Sequence, residues 1–191
     1  YNSLTLKYKK EYVSFSEEVL WLKEIYQSKV EVKKTTNYLW TIPVCYDEQF
    51  GIDLDEVSIR SELSVKEIIQ LHSDKIYTVF FIGFLPGFLY LGGLNEKLHF
   101  DRKPNPRLKV DKGSVAIGGK QTGIYPFNSP GGWNIIGKTP IDFFNVNNQN
   151  PCFAKAGDSI QFQPICKEEF YQIEYKIAQN EYRLSKTLLD D

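Results

Sequence analysis

The 191-residue chain has 23 basic and 24 acidic residues and a formal net charge of -1. This balance provides no positive field to attract DNA, RNA or an anionic membrane, which disfavours nucleic-acid-binding and membrane-surface proteins. Apolar residues make up 42% of the chain, enough for the core of one large domain or two small ones. The cysteines Cys45, Cys152 and Cys166 are odd in number and form no CxxC pair, and no apolar run reaches membrane-spanning length. We therefore expect free thiols and a cytoplasmic location.

The first part of the chain is predicted to be α+β. Residues 1–8 alternate between polar and apolar side chains, which is typical of a strand. Because a mature chain rarely begins inside a strand, and this one contains no methionine, we expect the natural N-terminus to lie upstream. Ser14 opens a capping-box pattern that predicts a helix over residues 15–27. A short strand is indicated at residues 30–32, and residues 37–46 alternate as a longer strand.

Two short helices are predicted between residues 51 and 73. Asp53 with Glu56 can cap the first helix, and Ser64 with Glu67 the second. The tight link between them also fits a helix-turn-helix. A DNA-binding module of that kind needs basic residues around its second helix, whereas this region is predominantly acidic. We therefore interpret both helices as structural.

A β-barrel is predicted after a domain boundary at Asp74-Lys75. Residues 76–82 are a β-branched and aromatic run typical of a buried strand. Shorter strand-like pieces follow, separated by glycine- and proline-containing turns, at residues 108–110, 114–117, 132–136 and 159–162. Such a pattern is typical of a closed or nearly closed barrel. The predicted parts are an N-terminal α+β domain (1–74), a β-barrel domain (75–166) and a C-terminal extension (167–191). Within the extension we expect a helix or strand at 168–179 and a frayed end over 185–191.

Most glycines and prolines of the chain lie between residues 83 and 139, interleaved with aromatic residues. Residues 118–122 are similar to a phosphate loop, but Ser114 stands where the first glycine is required and a glutamine follows the lysine. Neither His72 nor His99 has a cysteine or carboxylate at metal-ligand spacing, and no serine has a nucleophile-elbow context. We therefore expect structural histidines, no bound metal and no self-contained covalent catalysis.

A small-molecule pocket is the interpretation that remains for this stretch. Polar side chains on glycine-rich loops beside apolar walls commonly form such a pocket, and arginine can bind an anionic group through its planar guanidinium. The predicted substrate-binding residues are Arg107, Gln121, Thr122, Tyr125 and Lys138. The predicted pocket walls or partner contacts are Phe88, Tyr90 and Trp133. Each of these aromatic residues, taken alone, is better explained as barrel core. The sequence assigns no general base.

Three blocks of this stretch resemble a known family: GFLPGFLYLGGL (83–94), PNPR (104–107) and GSVAIGGKQTGIYPFNSPGGWNIIGKTP (113–140). The similarity extends to residues 42–57, 63–73 and 156–165. Nearly the whole chain is thus similar to the allophanate hydrolase subunit 1 family. That family includes the carboxyltransferase-type domain, the sporulation kinase inhibitor KipI and the B subunit of 5-oxoprolinase. The chain departs from the family at Lys138, where arginine is usual and would bind an anion in a bidentate manner.

The resemblance implies a small α+β N-terminal domain that starts upstream of this chain, followed by a cyclophilin-like β-barrel. It also implies two partners, a subunit 2 (KipA-like) protein and a lactam-utilisation-type subunit. Such assemblies resemble ATP-dependent 5-oxoprolinases, which open 5-oxo-L-proline (pyroglutamate) to L-glutamate. The chain would be a non-autonomous subunit, with ATP bound in the assembled complex and no biotin or metal of its own.

Two alternatives within the family stay open. One is a regulatory inhibitor of a sensor histidine kinase, similar to KipI. The other is a carboxyltransferase-type component of urea or allophanate metabolism. Prolyl isomerase activity rests on analogy with the cyclophilin fold alone.

Overall fold

The computed structural model describes residues 5–7, 14–28 and 35–189 of the chain. The chain divides into two compact units, residues 1–36 and residues 37–191. The predicted boundary at Asp74-Lys75 lies within the second unit, where the strands before and after it belong to the same sheet.

The described part of the first unit is dominated by helix α1 (Phe15–Gln27). The helix begins after Ser14, whose hydroxyl accepts a hydrogen bond from the Glu17 N–H at 3.4 Å, so the predicted helix is confirmed. Residues 5–7 are not part of a strand. The rest of the predicted first strand, and the strand predicted at 30–32, lie outside the described residues.

The described part of the second unit contains three helices and ten strands. The helices are α2 (Leu54–Ser61), α3 (Val65–Ser73) and α4 (Lys167–Ala178), with a single 3-10 turn at Glu96–Leu98. The strands are β1 (Asn37–Cys45), β2 (Ile76–Ile82), β3 (Leu89–Gly92), β4 (Arg107–Val110), β5 (Ser114–Gly118), β6 (Gln121–Ile124), β7 (Ser129–Gly131), β8 (Asn134–Lys138), β9 (Ser159–Ile165) and β10 (Lys186–Leu189).

Seven of these strands close into a barrel, in the order β1-β8-β5-β6-β3-β2-β9. The ring closes where β9 pairs with β1 in parallel, from Leu39 opposite Ser159 to Cys45 opposite Ile165. The other pairs in the ring are antiparallel. Strand β10 adds to the side of β1, and β4 pairs with β7 as a separate two-stranded ribbon. The predicted fold class, α+β with a cyclophilin-like barrel, is confirmed.

The main core fills the interior of the barrel. It contains alternate residues of β1, such as Ile42 and Val44, together with Tyr77, Leu91 and Phe162 from other strands. This alternation follows from the two-residue period of a strand, which sends successive side chains to opposite faces. A second, smaller buried cluster lies on the opposite face of the sheet and is formed by Phe88, Val110, Ala116, Tyr125, Trp133 and Ile135.

The two predicted helix caps behave differently. At α3 the capping box is confirmed, since the Ser64 hydroxyl accepts from the Glu67 N–H and the Glu67 carboxylate accepts from the Ser64 N–H at 2.8 Å. At α2 the cap is wrong, because Asp53 makes no side-chain hydrogen bond to its own helix. Its carboxylate instead accepts from the Ile135 N–H at 2.7 Å and from Arg107.

Several predicted strands are confirmed and two expectations are wrong. Strand β2 has the predicted bounds, but it is only half buried, since Ile76, Phe80 and Ile82 face outward with 37–56% of their surface exposed. A barrel strand has one face outside the core, whatever its composition. The predicted frayed end is also wrong over 186–189, where β10 pairs with β1. Of the two options at residues 168–179, the helix (α4) is confirmed.

The three cysteines are free thiols. Within the described residues, no helix combines the length and the apolar character that a membrane crossing requires. Over the same residues, His, Cys, Asp and Glu side chains form no group of three able to hold a metal ion.

Candidate functional site

An aromatic cluster lies on the outer face of the barrel beside β3, β5 and β6. The Phe88 ring lies edge-on to Tyr125 and Trp133, with centroid distances of 5.3 and 5.6 Å, and Tyr90 lies 6.1 Å from Trp133. Gly118 makes this packing feasible, since a Cβ there would lie 2.7 Å from the indole ring. The glycine of β5 is therefore required for Trp133 to approach the strand so closely.

The aromatic cluster forms the walls of a pocket of about 300 Å³, which we call the aromatic pocket. Its lining residues are Phe84, Phe88, Tyr90, Arg102, Lys103, Pro106, Tyr125, Pro130, Gly131, Gly132 and Trp133. Two cations are among them, but no carboxylate, histidine or cysteine of the described chain. The volume suits a small organic molecule, and the charges of the lining favour an anionic one.

The ribbon of β4 and β7 covers Tyr125. A Cβ at Gly131 would collide with the Tyr125 hydroxyl, so the ribbon approaches this closely only because residue 131 is glycine. Burial raises the pKa of Tyr125, and it outweighs the opposing effects of the Trp133 N–H and the Arg102 and Arg107 charges. The phenol therefore stays neutral at physiological pH and keeps its proton as a hydrogen-bond donor.

An ionic cluster behind the aromatic pocket centres on Asp53, which is 3% exposed. One Asp53 oxygen lies 2.5 Å from the Arg107 guanidinium and 3.0 Å from Lys103 Nζ, and Lys103 also reaches Glu56 at 2.6 Å. Burial acts to lower the pKa of Lys103, but its hydrogen bonds to Glu56 and Asp53 outweigh burial and raise it. The hydrogen bond from Lys103 likewise lowers the pKa of Glu56. Arg107 is absent from the pocket lining, and its Nη1 has no hydrogen-bond partner among the described residues.

Arg102 lies at the mouth of the aromatic pocket. Its guanidinium carbon is 5.7 Å from the centre of the Trp133 ring, and the side chain makes no ion pair with any described residue. The adjacent backbone is fixed, because the Lys103 N–H donates to the Gly132 carbonyl oxygen at 2.6 Å. Arg102 is therefore a positioned cation without a carboxylate partner in the described chain.

The two neighbouring residues Gln121 and Thr122 are not brought into the aromatic pocket. Thr122 is fully buried in the barrel, where its hydroxyl donates to the Ala116 carbonyl oxygen and accepts from His72 Nε2 at 2.9 Å. Gln121 is buried and leaves its Nε2 without a hydrogen-bond partner among the described residues. Since successive residues of β6 face opposite sides of the sheet, these two side chains cannot share one pocket.

Lys138, also predicted to bind substrate, lies elsewhere. It lines two other depressions, one with Gln49, Lys109 and Ser114, and one with residues of α4. Its Nζ is 5.6 Å from the centre of the Phe50 ring. The structure thus brings together Tyr125 and the predicted walls Phe88, Tyr90 and Trp133, and it separates Gln121, Thr122 and Lys138 from them.

Seven residues of the pocket lining lie outside the predicted set: Phe84, Arg102, Lys103, Pro106, Pro130, Gly131 and Gly132. The available signal was the short charged link between the two glycine-rich blocks, which carries both Arg102 and Lys103. The predicted assignment of both histidines as structural agrees with their contacts, since His72 is fully buried and His99 Nε2 bonds to the Leu94 carbonyl oxygen at 3.1 Å.

The aromatic pocket is equipped to bind and orient a ligand. General acid–base chemistry near neutral pH usually needs a histidine or a carboxylate within reach, and the lining supplies neither. The carboxylates of Asp53 and Glu56 are already engaged by Lys103, Arg60 and Arg107. The pocket can therefore hold a small anion against aromatic walls.

The chain is similar in sequence to 5-oxoprolinase proteins of two bacteria. It is 51% identical over 121 residues to the B subunit of the Haemophilus influenzae 5-oxoprolinase, covering 63% of this chain and 57% of that protein. It is 43% identical over 130 residues to the corresponding 5-oxoprolinase protein of Bacillus subtilis, covering 68% of this chain and 54% of that one. The chain therefore spans little more than half the length of these relatives.

A similar fold occurs in a solved structure with much lower sequence identity. A solved structure of the Kluyveromyces lactis urea amidolyase matches 91% of this chain and 12% of that chain, with a TM-score of 0.74 at 16% sequence identity. At that identity the likeness shows the fold alone. Residues 1–154, most of the chain, match the profile described as carboxyltransferase domain, subdomain C and D. The chain belongs to this carboxyltransferase-domain family.

Proposed function

We propose that the chain is a non-autonomous subunit of an ATP-dependent 5-oxoprolinase. In this proposal it acts with a subunit 2 (KipA-like) protein and a lactam-utilisation-type subunit to convert 5-oxo-L-proline to L-glutamate. The names of the relatives support the activity, since both are named as the B subunit of 5-oxoprolinase. The structural observation that carries the proposal is the aromatic pocket, which combines flat apolar walls and two cations with no histidine or carboxylate in its lining.

The pocket fits the chemistry of 5-oxo-L-proline. The compound is a small five-membered lactam with a carboxylate, so its ring can lie against Tyr90 and Trp133 while its negative charge is attracted by the cations of the lining. The Tyr125 hydroxyl, kept neutral by burial, is a further donor in the same lining. We infer that this pocket receives the lactam.

The lack of a histidine or carboxylate in the pocket lining supports the need for partners. Opening an unactivated amide at neutral pH requires a base for the attacking water, and the lining offers no imidazole or carboxylate for that role. Trp133 packs directly against Gly118 at the start of the Gly118–Gln121 turn, and in the proposal this turn does not hold the nucleotide. In the proposal, ATP and the general base therefore belong to the partner subunits.

The test is reconstitution. The chain is coexpressed with a subunit 2 protein and a lactam-utilisation-type subunit, and ATP hydrolysis is measured with and without 5-oxo-L-proline. We expect ATP hydrolysis that requires both the lactam and this chain. Tyr90→Ala, which removes a pocket wall, should lower this activity, whereas Tyr175→Ala, on the exposed surface of α4, should leave it unchanged.

Two results would refute the proposal. Absence of lactam-dependent ATP hydrolysis in the full assembly would exclude the enzyme subunit. If the chain then suppressed autophosphorylation of a sensor histidine kinase, the regulatory alternative would replace it.

A further inference from the structure

We propose that Arg102 binds the carboxylate of the ligand and makes the aromatic pocket selective for cyclic acids over neutral cyclic amides. The choice of 5-oxo-L-proline as the acid rests on the proposed function. Selectivity for a carboxylate rests on the charges and contacts around Arg102.

The first argument is the excess of positive charge. The pocket lining contains Arg102 and Lys103 and none of the acidic residues in the described chain. In the ionic cluster behind it, three cations, Arg60, Lys103 and Arg107, meet only two carboxylates, Asp53 and Glu56. These paired residues therefore carry one more positive than negative charge before Arg102 is added, and aromatic walls of low polarity strengthen the field of such charges.

The second argument is that Arg102 has no carboxylate partner among the described residues, whereas Lys103 and Arg107 are each paired with one. Lys103 lies 3.0 Å from Asp53 and 2.6 Å from Glu56, and Arg107 lies 2.5 Å from Asp53. The only described contact of the Arg102 guanidinium is with the face of Trp133, at 5.7 Å. A guanidinium above an aromatic ring keeps its in-plane N–H groups free for a bidentate bond to a carboxylate.

The third argument is geometric. Trp133 is a wall of the pocket and also the ring on which Arg102 lies, so a ligand ring against Trp133 has its substituents next to the guanidinium. The backbone beside Arg102 is fixed by the hydrogen bond from Lys103 N–H to the Gly132 carbonyl oxygen. A fixed backbone and a side chain already placed over Trp133 reduce the entropy lost when the ligand binds.

The experiment compares two ligands that differ only in the carboxylate. Calorimetry gives the Kd of 5-oxo-L-proline and of 2-pyrrolidinone for the wild-type chain, and for Arg102→Gln, Arg102→Lys and Lys186→Gln. Lys186 is the matched control, because this cation also lies over an aromatic ring, Tyr38 at 4.5 Å, but outside the pocket and the ionic cluster. Arg102 is exposed and outside both buried clusters, so we expect its variants to keep the wild-type urea midpoint.

We expect the wild-type chain to prefer the acid. Arg102→Gln should weaken acid binding by about tenfold, the loss typical of one hydrogen-bonded charge at a partly exposed site, and leave 2-pyrrolidinone unaffected. Arg102→Lys should restore part of the preference, and Lys186→Gln should retain all of it. Equal binding of the two ligands by the wild type, no binding of the acid, or an unchanged preference in Arg102→Gln would overturn the proposal. Failure of the reconstituted complex to hydrolyse ATP, with the acid preference intact, would instead refute the proposed function alone.

Discussion

Acidification should destabilise this barrel through one side chain, His72. The imidazole is fully buried and stacks on Phe162 with 4.5 Å between ring centroids. Both ring nitrogens are hydrogen-bonded, Nδ1 to the Tyr46 hydroxyl at 2.7 Å and Nε2 to Thr122 Oγ1 at 2.9 Å. Because the single hydroxyl proton of Thr122 is donated to Ala116, Thr122 accepts from Nε2–H, and Nδ1 accepts from Tyr46. The neutral ring is thus fully satisfied, and a second proton would have no acceptor.

The magnitude follows from the two pKa values. Burial lowers the pKa of His72 from 6.5 to about 3 in the folded chain. Between these values the unfolded chain binds a proton that the folded chain does not, so stability falls as the pH falls. From pH 7 to pH 5 the loss is about 2 kcal/mol, and it approaches about 5 kcal/mol once the pH is below both values.

Urea unfolding followed by tryptophan fluorescence at pH 7 and at pH 5 measures this loss. The wild type should lose about 2 kcal/mol more than His72→Gln, which has no imidazole to titrate. His99→Gln is the matched control, because His99 is partly exposed, and it should behave as the wild type. If His72→Gln is too unstable for urea unfolding, the imidazole proton resonances of the folded wild type report directly the pH at which His72 takes up a proton. An equal pH dependence in the wild type and His72→Gln, or a His72 resonance that titrates near pH 6.5, would refute the reasoning.

Two further predictions concern the residues behind the pocket. Asp53→Ala removes the partner of Arg107 and of the Ile135 N–H, so we expect the free energy of unfolding in urea to fall by about 2–3 kcal/mol. This is less than for a fully buried ion pair, because Arg107 is partly exposed. Glu56→Ala, which removes a half-exposed partner of the same cluster, should cost less than about 1 kcal/mol, and equal losses would contradict a central role for Asp53. Gly131→Ala places a methyl against the Tyr125 hydroxyl and should cost about 1–3 kcal/mol and weaken ligand binding. Gly132→Ala, whose Cβ would have its nearest neighbour at 3.4 Å, should leave the free energy of unfolding almost unchanged. A larger loss in Gly132→Ala than in Gly131→Ala would show that the ribbon can move away from Tyr125 at little cost.

The sequence was most informative where local rules operate. The capping box at Ser64 and the strand bounds at residues 76–82 follow from neighbouring residues, and both are confirmed. The same capping pattern failed at Asp53, because a partly buried arginine 54 residues away offers a stronger partner than the helix N-terminus. Strands β3, β6 and β7 were missed since each has four residues or fewer and contains glycine or proline, which weakens any strand pattern.

The candidate site shows the same division. The aromatic walls were predictable, because Phe88, Tyr90 and Trp133 stand among glycines that bring rings close to the backbone. Whether a predicted polar residue lines the pocket depends on which face of its strand the side chain occupies. Once Gln121 and Thr122 are known to be successive residues of β6, only one of them can face outward. The position of Arg102 depends on a long-range backbone hydrogen bond, to which no local pattern points.

The parallel pairing of β1 with β9 has a consequence for synthesis. These strands are about 120 residues apart in sequence, and β9 is also the antiparallel neighbour of β2. A nascent chain that has not yet released residues 159–165 leaves β1 and β2 each with an unpaired edge, even when strands β1 to β8 have all emerged. We therefore expect the barrel to close late, after translation of most of the chain, with slow folding typical of non-local strand pairing. Until then, incorrect strand pairing can begin at the open edges of β1 and β2. Strand β9 covers both edges when it pairs with them.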